Sequence, residues 1–89
     1  MHLILIKESL TVLTLSDLKP GEVGIICGFH PGDKVYRRKL LAMGLTPNTQ
    51  FEVIRRAPLG DPVQIRVRDF YLSLRQKEFA LLKIERGKE

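Results

Sequence analysis

The spacing of apolar positions changes period several times along the chain. Residues 22–29 alternate, with Val23, Ile25, Cys27 and Phe29 on one side and Gly24, Ile26, Gly28 and His30 on the other. This predicts a strand that buries the Val23–Phe29 face, its two glycines leaving room for a bulge or a close approach. Over residues 33–43 the period becomes helical: Tyr36, Leu40 and Met43 fall at i, i+4 and i+7, with Leu41 beside them. Asp33 is suited to the N-cap, where its carboxylate accepts from free amides of the first turn. Gly44 suits the left-handed position after the helix, Leu45 can fold back onto Leu40, and Pro47 blocks continuation. Alternation returns at residues 50–56, with Phe51, Val53 and then Arg55 on one face and Glu52, Ile54 and Arg56 on the other. Ala57-Pro58-Leu59-Gly60-Asp61-Pro62 reads as a turn. Val63, Ile65 and Val67 then point inward between Gln64, Arg66 and Arg68, completing a hairpin. Phe70, Leu72 and Leu74 form another inward face. Arg75-Gln76-Lys77-Glu78 predicts a short helical turn near residues 75–79, and Ala80, Leu82 and Ile84 a last strand.

Upstream of this pattern, residues 1–13 are an apolar, β-prone extension in which Leu3–Ile6 and Leu10–Leu13 flank Lys7-Glu8-Ser9. Such a segment can add an edge strand or pair with a second copy of the chain. Residues 87–89 form a polar tail. The expected organisation is thus an extension (1–13), one domain (14–86) and a tail. About five short strands with an inserted helix predict a mainly β fold, bent into a small barrel that hides its edges. An SH3-like barrel is the natural candidate, and a five-strand OB-type barrel the alternative.

Length then bounds what the fold can carry. Eighty-nine residues are room for one domain. No apolar run reaches the roughly 20 residues of a membrane span, and the start does not read as a signal peptide. A cytosolic protein is expected, membrane-associated only through a partner. The single Cys27 excludes an internal disulfide framework and a multi-cysteine metal cluster. The net charge of +5 is uneven: residues 1–33 hold two basic and four acidic side chains, residues 34–89 thirteen basic and six acidic. A basic C-terminal portion suits nucleic acid, an anionic surface or an acidic protein, or simply a solvated exterior.

Candidate chemistry narrows the choice. Gly-x-x-x-x-Gly-Lys-Ser/Thr is absent, so no phosphate loop is present. Cys27 and His30 lack a third orienting group for nucleophilic catalysis, and no enzyme or cofactor is expected. Cys27, His30 and Asp33 are spaced three apart and are the weak metal candidates. They straddle a strand, a turn and a helix start, Cys27 lies on the apolar face, and Asp33 is already the N-cap. Arg55, Arg56, Arg66 and Arg68 share a hairpin and are the nucleic-acid candidates. Single-strand binders also need stacking platforms, and only Tyr71 is near. Protein docking carries more weight. Leu59 lies at a turn tip between two prolines, beside Asp61. Tyr71 and Arg75 are residue types common at interfaces. The helix stripe Tyr36, Leu40 and Met43 is first a core face, with a groove beside it as a docking place.

Three segments carry a family resemblance: Tyr36-Arg37-Arg38-Lys39-Leu40-Leu41-Ala42-Met43-Gly44-Leu45-Thr46-Pro47, the Ala57–Pro62 run, and Leu72-Ser73-Leu74-Arg75. Together they resemble FeoA, the small cytosolic component of bacterial ferrous iron transport, over residues 15–86. Asn48 stands where much of that family has Gly. The resemblance implies an SH3-like barrel and an accessory, regulatory role on the cytosolic side of FeoB, a permease with a GTPase domain. It implies nothing about residues 1–13.

Overall fold

A computed structural model describes residues 13–87. A 3-10 turn, Leu15–Asp17, leads into strand β1 (Val23–Phe29), helix α1 (Lys34–Ala42), β2 (Gln50–Arg56), β3 (Val63–Val67), β4 (Phe70–Leu74), the one-turn helix α2 (Gln76–Phe79) and β5 (Leu82–Arg86). All five strands form one antiparallel sheet in the order β4-β3-β2-β1-β5. The mainly β expectation holds, with the helices in the places the periodicity puts them. One detail differs: the hydrogen-bonded ladder is open, and β4 and β5 are its edges. Beside β5, Leu13 exchanges two backbone hydrogen bonds with Ile84, at 2.6 and 3.0 Å. The rest of the predicted extension, with its expected pairing between copies, and the last two tail residues lie outside the described residues.

Two β-bulges rearrange the faces that simple alternation predicts. In β1, Ile26 pairs with Ile84 and Gly28 with Lys83, so Cys27 is the extra residue. An extra residue reverses the inside–outside order beyond it. The inward positions are therefore Gly24, Ile26 and then Phe29, and Cys27 is exposed. This corrects the Val23–Ile25–Cys27 face. Gly24 takes the inner side because the space there is filled: a Cβ would lie 2.6 Å from Phe51 Cζ and 2.9 Å from Leu18 Cδ1. In β2, Val53 pairs with Ile65 and Arg55 with Gln64, leaving Ile54 as the extra residue. Arg55 consequently faces solvent, and Arg56 turns back beneath the 3-10 turn.

The core runs through Leu15, Leu18, Ile26, Leu40, Leu45, Val53, Ile65, Leu74, Leu82 and Ile84, all fully buried. Each such side chain contributes roughly 1.5–3 kcal/mol by leaving water. Helix α1 is fixed at both ends. Asp33 Oδ1 accepts from Val35 N at 2.8 Å. At the other end Gly44 adopts φ +91°. Gly44 N donates to Leu41 O and Leu45 N to Leu40 O, both at 3.0 Å. These are the paired bonds of a Schellman cap, and the buried Leu45 and Leu40 lie on its inner side. Asn48 adopts φ +74°, a left-handed conformation that Asn tolerates.

Candidate docking cleft

The Ala57–Pro62 turn is held closed by its own backbone. Gly60 N donates to Ala57 O at 2.7 Å and Ala57 N to Pro62 O at 3.1 Å, and the Asp61–Pro62 peptide is cis. Leu59 is 95% exposed at the tip and does not fold inward. Asp61 Oδ1 accepts from Gln76 N at 3.0 Å, tying the turn to the start of α2. Between α1, this turn and α2 lies a cleft of about 400 Å³ lined by Tyr36, Lys39, Asp61, Arg75, Lys77 and Glu78. On the other side the turn borders a groove of about 470 Å³, lined by Arg55, Arg56, Ala57, Pro58, Pro62, Gln64 and Ser73.

Three of the seven docking candidates, Tyr36, Asp61 and Arg75, therefore meet in one cleft, with Leu59 on the turn that walls it. Tyr71 is exposed on β4 opposite Arg66 and is not part of the cleft lining. Met43 is half-buried against the core. Leu40 is fully buried and offers no surface to a partner, which corrects its place among the docking residues. It is the middle of the i, i+4, i+7 stripe, whose other members Tyr36 and Met43 pack against the core beside it.

Glu78, which the sequence reading passed over, organises the cleft floor. It is 4% exposed. Its Oε1 accepts from Arg75 N at 3.0 Å and its Oε2 meets Lys39 Nζ at 2.5 Å. Burial pushes its carboxyl pKa up, and the hydrogen bonds from Lys39 and Arg75 outweigh that, so the group is held below the usual carboxylate range. The signal was present: an acid three residues after a helix N-cap can reach back to the cap amide. Asp17 does the same to Thr14 N at 2.9 Å, and Glu22 to Lys19 N at 2.7 Å.

Of the weak metal candidates, His30 and Asp33 line one pocket of about 210 Å³ at the start of α1, and Cys27 is not part of its lining. Cys27 Sγ donates to Lys83 O at 3.2 Å, Asp33 caps α1, and among the described residues no three His, Cys, Asp or Glu side chains are arranged to hold a cation. The arginine patch on the hairpin is also divided. Arg56 donates to the carbonyls of Ser16, Leu15 and Leu18. Arg66 pairs with Glu52 at 2.8 Å. Arg55 and Arg68 are left as the exposed cations of that set without an ion pair among the described residues. No helix among the described residues is long and apolar enough to cross a membrane.

Comparison with known proteins places this geometry in a family. The FeoA domain pattern matches residues 13–86. The chain is 34% identical over 73 residues to an Fe(2+) transport protein A/Fe(2+) transporter FeoB fusion protein of Porphyromonas gingivalis; the match covers 82% of this chain and 8% of that relative's length. A FeoA-like protein of Clostridium acetobutylicum, solved by NMR, superposes with a TM-score of 0.77 at 32% identity, over 89% of this chain and 91% of that one. The FeoA of Stenotrophomonas maltophilia, crystallised with zinc and described as a prokaryotic SH3 domain protein, shares the fold at a TM-score of 0.70 and 18% identity, over 82% and 89% of the two chains. The open five-strand sheet with its two inserted helices is thus an SH3-like fold, and the chain belongs to the FeoA family, which is associated with ferrous iron transport.

Proposed function

We propose that the protein is a non-enzymatic accessory of ferrous iron uptake that docks on the cytosolic side of a FeoB-type permease and biases its nucleotide cycle or its gate. The observation that carries this reading is the Porphyromonas gingivalis relative, in which a segment like this chain and a FeoB transporter are one polypeptide. Fusion holds two modules at an effective concentration of about millimolar, so even a weak contact stays engaged. The contact itself needs a surface on this domain.

The Leu59 turn is suited to that. An exposed apolar side chain on a backbone closed by its own hydrogen bonds loses little freedom on binding. The cleft beside it offers both signs of charge, from Lys39, Arg75 and Lys77 against Asp61 and Glu78. A few fully desolvated side chains, ringed by contacts that exclude water, dominate many interfaces. The proposed contact therefore centres on Leu59, with Tyr36, Asp61 and Arg75 around it, and with Met43 and Tyr71 toward the rim.

The test is binding of the full chain to a detergent-solubilised FeoB-type permease, measured by biolayer interferometry. A complex that Leu59→Ala weakens at least about tenfold is the expected result. No complex with the permease overturns the function, and a complex untouched by Leu59→Ala overturns the site.

A further inference from the structure

Helix α1 has a second face. Lys34, Arg38 and Leu41 follow one another at i, i+4 and i+7, flanked by Val35 and Ala42, on the side opposite the buried Leu40. All five are exposed, Val35 at 69% and Leu41 at 38%. Arg37 stands at the edge of this face, its guanidinium 5.6 Å from the Phe29 ring centre. The helix carries four cations and no acid. Only Lys39 is paired, through Glu78; Lys34, Arg37 and Arg38 make no ion pair among the described residues. The neighbouring acid, Asp33, has one carboxylate oxygen on the Val35 amide.

The geometry points to an anionic phospholipid surface as the occupant of this face. Two observations select it over other polyanions. The face is the convex side of a helix: the clefts of about 400 and 470 Å³ are lined by none of its five residues, and the pocket of about 210 Å³ beside Lys34 and Arg37 lies at the helix start with Asp33 in its wall, so the face as a whole presents no groove to an acidic peptide. It also carries no aromatic side chain for base stacking, which single-stranded nucleic acid needs. Cations flanking two aliphatic side chains match a headgroup layer, the charges meeting phosphates while Val35 and Leu41 enter the interface. The contact is weak and reversible, since a cation near such a surface contributes about a fivefold gain in partitioning. It orients the chain with α1 toward the bilayer.

The test is co-sedimentation of the full chain with vesicles of phosphatidylcholine alone, or of phosphatidylcholine mixed with phosphatidylglycerol. Binding to the anionic vesicles only is expected, with loss in high salt. Lys34→Ala combined with Arg38→Ala should lower the partition coefficient about 25-fold, while Arg55→Ala combined with Arg68→Ala, an equal charge loss elsewhere on the surface, leaves most of it intact. Equal loss from both pairs would show attraction by net charge alone and overturn the face. Equal binding to neutral vesicles, or full displacement by polyglutamate at matched charge, would overturn the lipid surface as its ligand. Neither Lys34 nor Arg38 lines the clefts beside the Leu59 turn, so vesicle binding and permease binding fail separately.

Discussion

Lys39 and Glu78 join the two helices of the fold through a 2.5 Å contact between Nζ and Oε2, and the carboxylate end of that pair is buried while the ammonium end is not. Because Glu78 is held below the usual carboxylate range when folded, its contribution to stability is complete above the unfolded-chain value of about 4.3 and is lost as pH falls through the lower, folded value. Glu78→Gln should flatten the acid limb of a pH-dependent urea-unfolding profile and cost about 1–3 kcal/mol at neutral pH through the weakened Arg75 and Lys39 contacts. The limb will not vanish. Glu22 is lowered too, chiefly by the Lys19 amide despite an opposing desolvation, and acts in the same pH window. An acid limb unchanged in Glu78→Gln would show that the pair adds nothing to stability.

Packing around Gly24 gives a second expected outcome. A methyl group there collides with Phe51 and Leu18, both buried. Overpacking of this kind costs about 1–3 kcal/mol, so Gly24→Ala should lower the melting temperature. Adding Phe51→Leu, which opens the space, should recover part of the loss. If the double variant is simply the sum of its parts, the collision is not the cause.

Where the residues obeyed a strict period, the sequence was a sufficient guide: α1 with both caps, the Val63–Val67 face and the short α2 are where spacing and capping residues put them. Phe70, expected to point inward, is 40% exposed at the start of β4, whereas the errors of facing in β1 and β2 share one origin. Cys27 and Ile54 are single extra residues in antiparallel ladders, and a bulge leaves no mark in a hydrophobic pattern except a break in parity that reads equally well as a strand in the opposite orientation. From that one cause follow the exposed Cys27, the outward Arg55 and the inward Arg56. The cleft was partly legible, because Pro58–Pro62 and Arg75 were singled out. The tie from Asp61 to Gln76 was not, since it joins segments fifteen residues apart through a side chain that a turn would contain anyway.

Arg56 is the residue whose role changed most between sequence and structure. Its guanidinium reaches three carbonyls, those of Leu15, Ser16 and Leu18, and so closes the 3-10 turn onto the sheet. A fork of planar donors can satisfy such a set and a single ammonium cannot. Arg56→Lys and Arg56→Met should therefore cost a similar amount, about 1–3 kcal/mol. Faster amide exchange confined to residues 15–18 and their neighbours is the accompanying sign. Full rescue by Lys would mean that charge, not geometry, is what matters there.

Cys27 offers a reactivity measurement. Desolvation of the sulfur pushes the thiol pKa up, and the Glu85 charge adds to it. Only the thiolate attacks, so alkylation of Cys27 by iodoacetamide should reach its half-maximal rate at a higher pH than for a small free thiol. Glu85→Gln should move that midpoint down. A midpoint at or below the free-thiol value would contradict the assigned environment.

Asp61 and Leu59 sit two residues apart on one turn, one hydrogen-bonded to α2 and the other almost wholly in solvent. Leu59 touches solvent almost entirely, so Leu59→Ala should change folding stability by no more than about 0.5 kcal/mol. Any effect of that variant on permease binding is then a contact effect. Asp61→Ala removes the side-chain hydrogen bond that ties this turn to α2 and leaves the Gln76 amide to water, so a stability loss of about 1 kcal/mol is expected. It should also weaken binding, through a turn no longer tied to α2 beside the cleft. Asp61→Asn keeps an acceptor oxygen and should restore most of both losses. The pattern to look for is binding lost without stability at residue 59, and binding and stability lost and recovered together at residue 61. Recovery of stability by Asn without recovery of binding would instead make the Asp61 charge itself part of the contact.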